Sequence, residues 1–246
     1  MLLPAFLLLS CKNSKNYVPV EVSGQQLVIS DSIPANDSLS AFIEPYKEHI
    51  DREMNAVLAY TPTDLKKTDG ELNTAIGNLM ADAVMELSDQ VFKARTGNSI
   101  DLVLLNHGGI RSSISRGNIT TRTAYQVMPF ENEVVVAALK GEHVRELVRY
   151  LIDSGSAHPV AGLELLINAN NVIEKMLIQG EPLQEEKIYY VATNDYLYQG
   201  GDNMSFFSKA TDATGLDYKI RNVLIDYFRA QDTIAPIRDQ RFIRLE

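Results

Sequence analysis

The chain has 246 residues, 45% of them apolar, which suffices to bury a core and places it among globular proteins. Acidic residues outnumber basic ones by 32 to 23, for a net charge of −9, so a nucleic acid polymer is not expected as a partner. A small anion at one local basic site is compatible with that balance.

The first stretch, "MLLPAFLLLSC", is an apolar run too short to span a bilayer, and it ends at the only cysteine, Cys11. A leucine and a serine directly before a cysteine resemble the lipobox of bacterial lipoproteins, although no Lys or Arg precedes the run. The expectation is a signal peptide over residues 1–10 and a lipid on Cys11. The protein would then be exported and membrane-anchored, on the periplasmic or cell-surface side of a bacterial envelope. With Cys11 lipidated, the folded part has no thiol, and its stability rests on packing without disulfides. Residues 11–38 read as a tether that includes a short strand, "QQLVIS" at 25–30, and residues 39–246 as one folded domain.

Ser38 or Asp37 can cap a helix over 39–56, whose apolar face carries Phe42, Tyr46, His49, Ile50 and Met54. That placement makes His49 a packed core histidine. A second helix is predicted over 74–95, with Ile76, Leu79, Met80, Ala83, Val84, Leu87 and Val91 at three- and four-residue spacing. "IDLVLL" (100–105) and "VVVAAL" (134–139) are apolar strands, and Val144, Leu147, Val148 and Leu151 outline the helix that follows the second. "LELLI", "VIEKMLI" and "IYYVATN" are further strands, separated by "NANN" and "QGEP" turns. Leu216, Ile220, Val223, Leu224, Tyr227 and Phe228 predict a last helix before a closing "RFIRL" strand.

Three glycine-bearing stretches share a character: "AIGNLMADAV" (75–84), "NHGGIRSSISRGNIT" (106–120) and "ATNDYLYQGGDNMSFF" (192–207), the last two at the ends of apolar strands. Gly108 with Gly109, and Gly200 with Gly201, let the backbone turn sharply and approach a ligand closely. Beside them, Arg111 offers a planar fork of donors that matches phosphate or carboxylate oxygens, and Asn106 both donates and accepts. "MPFENE" supplies Phe130, and "NDYLYQGGD" supplies Tyr196 and Asp202. Two rings can clamp a flat heterocycle while a carboxylate accepts bonds from sugar hydroxyls, and ring, sugar and phosphate together describe a nucleotide.

"NHGGIR", "MPFENEV" and "VATNDYLYQGGD", in that order, closely resemble the C-terminal, substrate-binding domain of the 5'-nucleotidase and UDP-sugar hydrolase family, and "GNLMADA" is similar to one of its helix starts. The resemblance covers roughly residues 40–246. It implies an α+β fold in four layers, α/β/β/α, with Phe130 and Tyr196 sandwiching the base, Asp202 on the ribose hydroxyls, and Asn106 and Arg111 in the phosphate loop. His107 replaces a usual glycine, and Tyr196 a common phenylalanine. A further family arginine before "GNL" is missing where Gly70 and Glu71 stand, so Lys66 or Lys67 is a candidate substitute.

Full-length members of that family hydrolyse substrate in a separate metallophosphatase domain with two metal ions, whose D-x-H, G-N-H-[DE] and G-H-x-H motifs do not occur here. His49, His107, His143 and His158 have no ligand spacing, and His143 and His158 read as surface residues. No catalytic residue, metal ligand or cofactor is therefore expected in this chain, and divalent metals are expected on a separate metallophosphatase chain. The chain would be the substrate-recognition half of a 5'-nucleotidase-type hydrolase acting in nucleotide catabolism. The alternative is a non-catalytic, membrane-tethered protein that binds a nucleoside or nucleotide.

Overall fold

A computed structural model describes residues 21, 23–30 and 32–245, so the signal segment and Cys11 lie outside the described residues. The chain divides into two compact units, Met1–Pro45 and Tyr46–Glu246. In the first, residues 25–30 form no strand: Leu27, Val28 and Ile29 are 82%, 76% and 91% exposed. Side-chain preference for a pleated surface does not make a strand when no neighbour among the described residues takes up its backbone donors and acceptors.

Helix α1 (Asp37–Met54) spans the boundary between the units, and it starts with the Asn36 side chain accepting from the Leu39 N–H at 3.1 Å, so Asn36 takes the capping role expected of Asp37 or Ser38. Its periodicity is as read, but Phe42, Tyr46 and Ile50 are exposed and His49 is exposed with them. The core assignment of His49 is thus corrected: an apolar stripe gives the face of a helix, not the burial of each residue on it.

In the second unit β1 (Val57–Thr61) leads to α2 (Ala75–Thr96), which Thr74 opens by accepting from the Gly77 N–H and Gly97 closes in the left-handed conformation at φ 79°. Its predicted stripe from Ile76 to Val84 is buried, and Leu87 and Val91 pack at its edge. Then come β2 (Leu102–Leu104), β3 (Gly117–Thr120), α3 (Thr121–Val127), β4 (Glu133–Lys140) and α4 (Gly141–Ser154). Short β5 (Val160–Ala161) precedes β6 (Leu163–Ile167), β7 (Ile173–Ile178) and β8 (Glu181–Pro182). The chain ends with β9 (Ile188–Asn194), α5 (Asp195–Tyr198), β10 (Asp212–Lys219), α6 (Ile220–Arg229) and β11 (Phe242–Arg244). Leu216, expected in the last helix, lies in β10, where it is buried.

The main sheet has the order β10-β4-β9-β2-β5, with β9 and β2 parallel and the other neighbours antiparallel. A second sheet, β11-β6-β7-β8, pairs β11 with β6 in parallel, and β1 pairs with β3 separately. Residues of α2 and α6 share a core with Val103, Val134 and Val136 on one face of the main sheet. On the other face Leu102, Ala137 and Val191 share a core with α4 and with Leu163, Leu165 and Phe242 of the second sheet. The fold is thus the mixed α+β type, with two larger sheets, the separate β1–β3 pair, and helices packed into both cores. Parallel β9 and β2 end side by side, which brings the loops after them, 105–111 and 195–203, to one edge of the sheet.

Candidate functional site

Asn106, Gly108, Gly109, Arg111, Phe130, Asn132, Tyr196 and Asp202 line one cavity of about 340 Å³. Seven of these were singled out in the sequence; Asn132, two residues beyond Phe130 in "MPFENE", was not. Gly200 and Gly201 carry the backbone from α5 to Asp202, Gly200 at φ 92° and Asp202 itself at φ 52° and ψ 27°.

The two glycine loops are joined through Asp202. Its Oδ2 accepts from the Asn106 Nδ2 at 2.7 Å and its Oδ1 from the Tyr196 hydroxyl at 2.8 Å. That second bond holds the Tyr196 phenol above its ordinary pKa, because ionisation would set two negative charges together. A Cβ on Gly109 would lie 2.8 Å from the Asn106 Oδ1, so glycine there leaves room for the amide to turn toward Asp202.

Phe130 and Tyr196 are 40% and 47% exposed, a solvent-facing placement for large rings that the core does not explain. Their loops are fixed from beneath. The Arg221 guanidinium, its side chain 5% exposed, donates to the Pro129 carbonyl at 3.3 Å and the Phe130 carbonyl at 3.2 Å, pairs with Glu131, and lies 4.1 Å from the Tyr125 ring centre. Bonds from Lys219 and then Arg221 hold the Glu131 carboxyl down at about 2. Asp195 links the two rings' segments, its Oδ1 accepting from the Glu133 N–H at 3.3 Å and the Tyr196 N–H at 2.8 Å. Sequence reasoning missed both Arg221 and Asp195. The available signal for Arg221 was a basic residue set directly beside the apolar stripe of a helix.

Arg111 forms no ion pair among the described residues: it reaches the Gly108 carbonyl at 3.4 Å and stands 5.9 Å from the Phe130 ring centre, which leaves a cation at the cavity wall in a chain of net charge −9. Of the two candidate lysines, Lys67 comes to this loop, donating to the Ile110 carbonyl at 3.2 Å, whereas Lys66 lies 3.8 Å from Asp64.

Two histidine assignments are corrected. His158 is 6% exposed, and its Nδ1 accepts from the His107 N–H at 3.3 Å; burial pushes its pKa below the ordinary value. His143 is half-buried on α4 between Glu142 at 3.8 Å and Glu146 at 3.3 Å. The burial of His158 and its bond from His107 are tertiary and left no mark in the sequence, whereas the partners of His143 stand at i−1 and i+3 on its own helix and were there to be read. His107 and His158 meet through the His107 backbone N–H, and no group of three or more His, Cys, Asp or Glu is gathered to hold a metal ion among the described residues.

Residues 56–209, more than half of the chain, match the family model described as "5'-nucleotidase, C-terminal domain". The trifunctional nucleotide phosphoesterase protein YfkN of Bacillus subtilis is 28% identical over 78% of this chain, and a 5'-nucleotidase of Vibrio vulnificus 27% identical over 77%. The aligned stretch is 14% and 34% of the lengths of those two relatives. A 5'-nucleotidase precursor from Thermus thermophilus superimposes on 85% of this chain with a TM-score of 0.70 at 23% identity, over 42% of its own length, a likeness of fold. By its matched segment the chain belongs to the 5'-nucleotidase C-terminal domain family.

Proposed function

We propose that the chain is the substrate-recognition half of a 5'-nucleotidase-type hydrolase, binding a nucleoside 5'-phosphate for a metallophosphatase on another chain. The observation that carries this reading is that two exposed rings, a carboxylate and a cation without an acidic partner among the described residues line one cavity. Phe130 and Tyr196 take the base between them, each stack contributing about 1–3 kcal/mol. Asp202, with Asn106 beside it, accepts the ribose hydroxyls. Arg111 takes the phosphate, and Lys67 lies near enough to its loop to add a second positive charge. A recognition half can still govern rate, since holding a reactant in place removes a large part of the entropic barrier to its reaction. The reading includes export and attachment to a membrane through a lipid on Cys11.

Calorimetric titration with AMP tests the clamp: Phe130→Ala and Tyr196→Ala are each expected to lose about 1–3 kcal/mol of binding. Unchanged affinity in both variants rules the clamp out. The division of labour is tested by adding divalent metal to the pure chain, which should not hydrolyse AMP, and by pull-down from native membranes, which should recover a metallophosphatase. Metal-dependent turnover by the chain alone overturns it.

A further inference from the structure

Behind the cavity wall, the ring of Tyr150 on α4 packs 5.5 Å from His158 and 5.8 Å from Phe206, centre to centre. Its hydroxyl donates to the backbone carbonyl of Asp202 at 2.9 Å. Asp202 and Asn203 both have positive φ, 52° and 62°, a left-handed conformation that Asp and Asn adopt more readily than other non-glycine residues but still at some cost, so a bond that fixes the backbone there adds to its hold. Two bonds hold the Asp202 side chain and one holds its backbone. Only the backbone bond comes from a residue outside the cavity lining.

The geometry of the carboxylate gives that support a consequence. Each oxygen of an ionised carboxylate offers about two acceptor positions. Tyr196 takes one on Oδ1 and Asn106 one on Oδ2, so one position remains on each oxygen. Two acceptors side by side match the two vicinal hydroxyls of a ribose, provided that the carboxylate keeps its orientation. The same Tyr150 ring rests on His158, whose Nδ1 receives the His107 N–H, so the contacts run from one glycine loop to the other and close at the Asn106–Asp202 bond. Burial, and then the nearby Asp202 charge, raise the Tyr150 pKa and keep its hydroxyl a donor.

We propose that Tyr150 is a positioning residue that sets discrimination for ribose hydroxyls, by holding Asp202 in its left-handed turn. The inference rests on the reading of Asp202 as the ribose-binding carboxylate. Tyr150→Phe deletes the donor and keeps both ring contacts. The probes are adenosine and 2',3'-dideoxyadenosine, titrated by calorimetry against the whole chain and the variant. The ratio of the two affinities is the readout, because a merely structural loss lowers both together. In Tyr150→Phe the preference for adenosine is expected to fall about three- to tenfold, the weight of one hydrogen bond, with dideoxyadenosine binding unchanged. A variant that keeps the full ratio, or weakens both ligands equally, overturns the inference while leaving the role of Asp202 intact. If the unaltered chain does not distinguish the two ligands, the role of Asp202 fails and the inference with it. Should Tyr150→Phe not fold, Tyr150→Met, which also lacks the donor, is read in the same way.

Discussion

Gly201→Ala isolates the seat of one aromatic ring. A Cβ built on Gly201 lies 2.5 Å from both Cε1 and Cζ of Tyr196 and 2.6 Å from the Tyr196 carbonyl oxygen, where ordinary contact begins at 3.4 Å. A ring alone can swing aside, but the carbonyl belongs to α5, whose turn is closed by Gln199 N–H to Asp195 and Gly200 N–H to Leu197. Relief therefore has to come from both ring and backbone, at a cost typical of overpacking, about 1–3 kcal/mol, or a fall in Tm of roughly 2–12 °C. The displaced phenol also leaves the Asp202 Oδ1, so the stack and the carboxylate are disturbed together. AMP affinity by calorimetry should drop on the order of 5- to 150-fold, equivalent to one lost stack. Gly200→Ala is the control: at φ 92° with no neighbour within 4 Å of its Cβ, it bears only the backbone cost, about 1–2 kcal/mol, and should keep AMP affinity within about twofold. Wild-type Tm and affinity in Gly201→Ala would show that the Tyr196 ring is not seated there.

Arg221→Met removes the donor to two carbonyls and the cation on Tyr125; thermal unfolding should show a loss of about 2–4 kcal/mol, with weaker AMP binding because the Phe130 loop is released. Arg241→Ala breaks the links to Asp82, Asp239 and the Val160 carbonyl, and since both acids remain partly exposed the expected loss is moderate, about 1–3 kcal/mol in chemical denaturation. Arg111→Gln should weaken AMP about tenfold or more and leave adenosine unchanged in the same titration; equal loss for both ligands would deny it the phosphate. His158 has a folded pKa below its ordinary 6.5, so the unfolded chain binds the extra proton first as pH falls. Its contribution is fully present above about pH 6.5 and is lost as pH drops through that value towards the folded pKa. His158→Gln should therefore flatten stability between about pH 6.5 and 5, above the range in which carboxylates protonate; an unchanged slope in urea melts refutes this.

Elements with one buried face were legible. The stripes of α2 and α4 predicted both helices, and the apolar runs of β4 and β9 are central strands buried on most positions. Edge strands were legible in part: β11 was read as the closing "RFIRL" strand, whereas β10 alternates weakly, and its buried Leu216 falls at helical spacing from Ile220, so it was drawn into the helix that follows. In the short β1–β3 pair, β1 is a near-continuous apolar run of five residues with no period to read, and β3 carries only Ile119. For the site, residues that face a ligand could be singled out because exposed aromatics, glycine pairs and an isolated arginine are unusual beside strands. Residues that act from behind, such as Tyr150, Asp195 and Arg221, sit in ordinary helical or capping contexts, and only tertiary contact gives them their place.

The matched segment closes at residue 209, but the scaffold continues: β10 pairs with β4 from Asp212 onward, and Arg221 follows. A shorter chain stopped at 209 would keep every group that faces the cavity yet forfeit the border of the main sheet and the anchor beneath the Phe130 loop. Its β4 would then show an open row of backbone donors and acceptors, and the core that α6 covers would be laid bare with it, so such a fragment should self-associate.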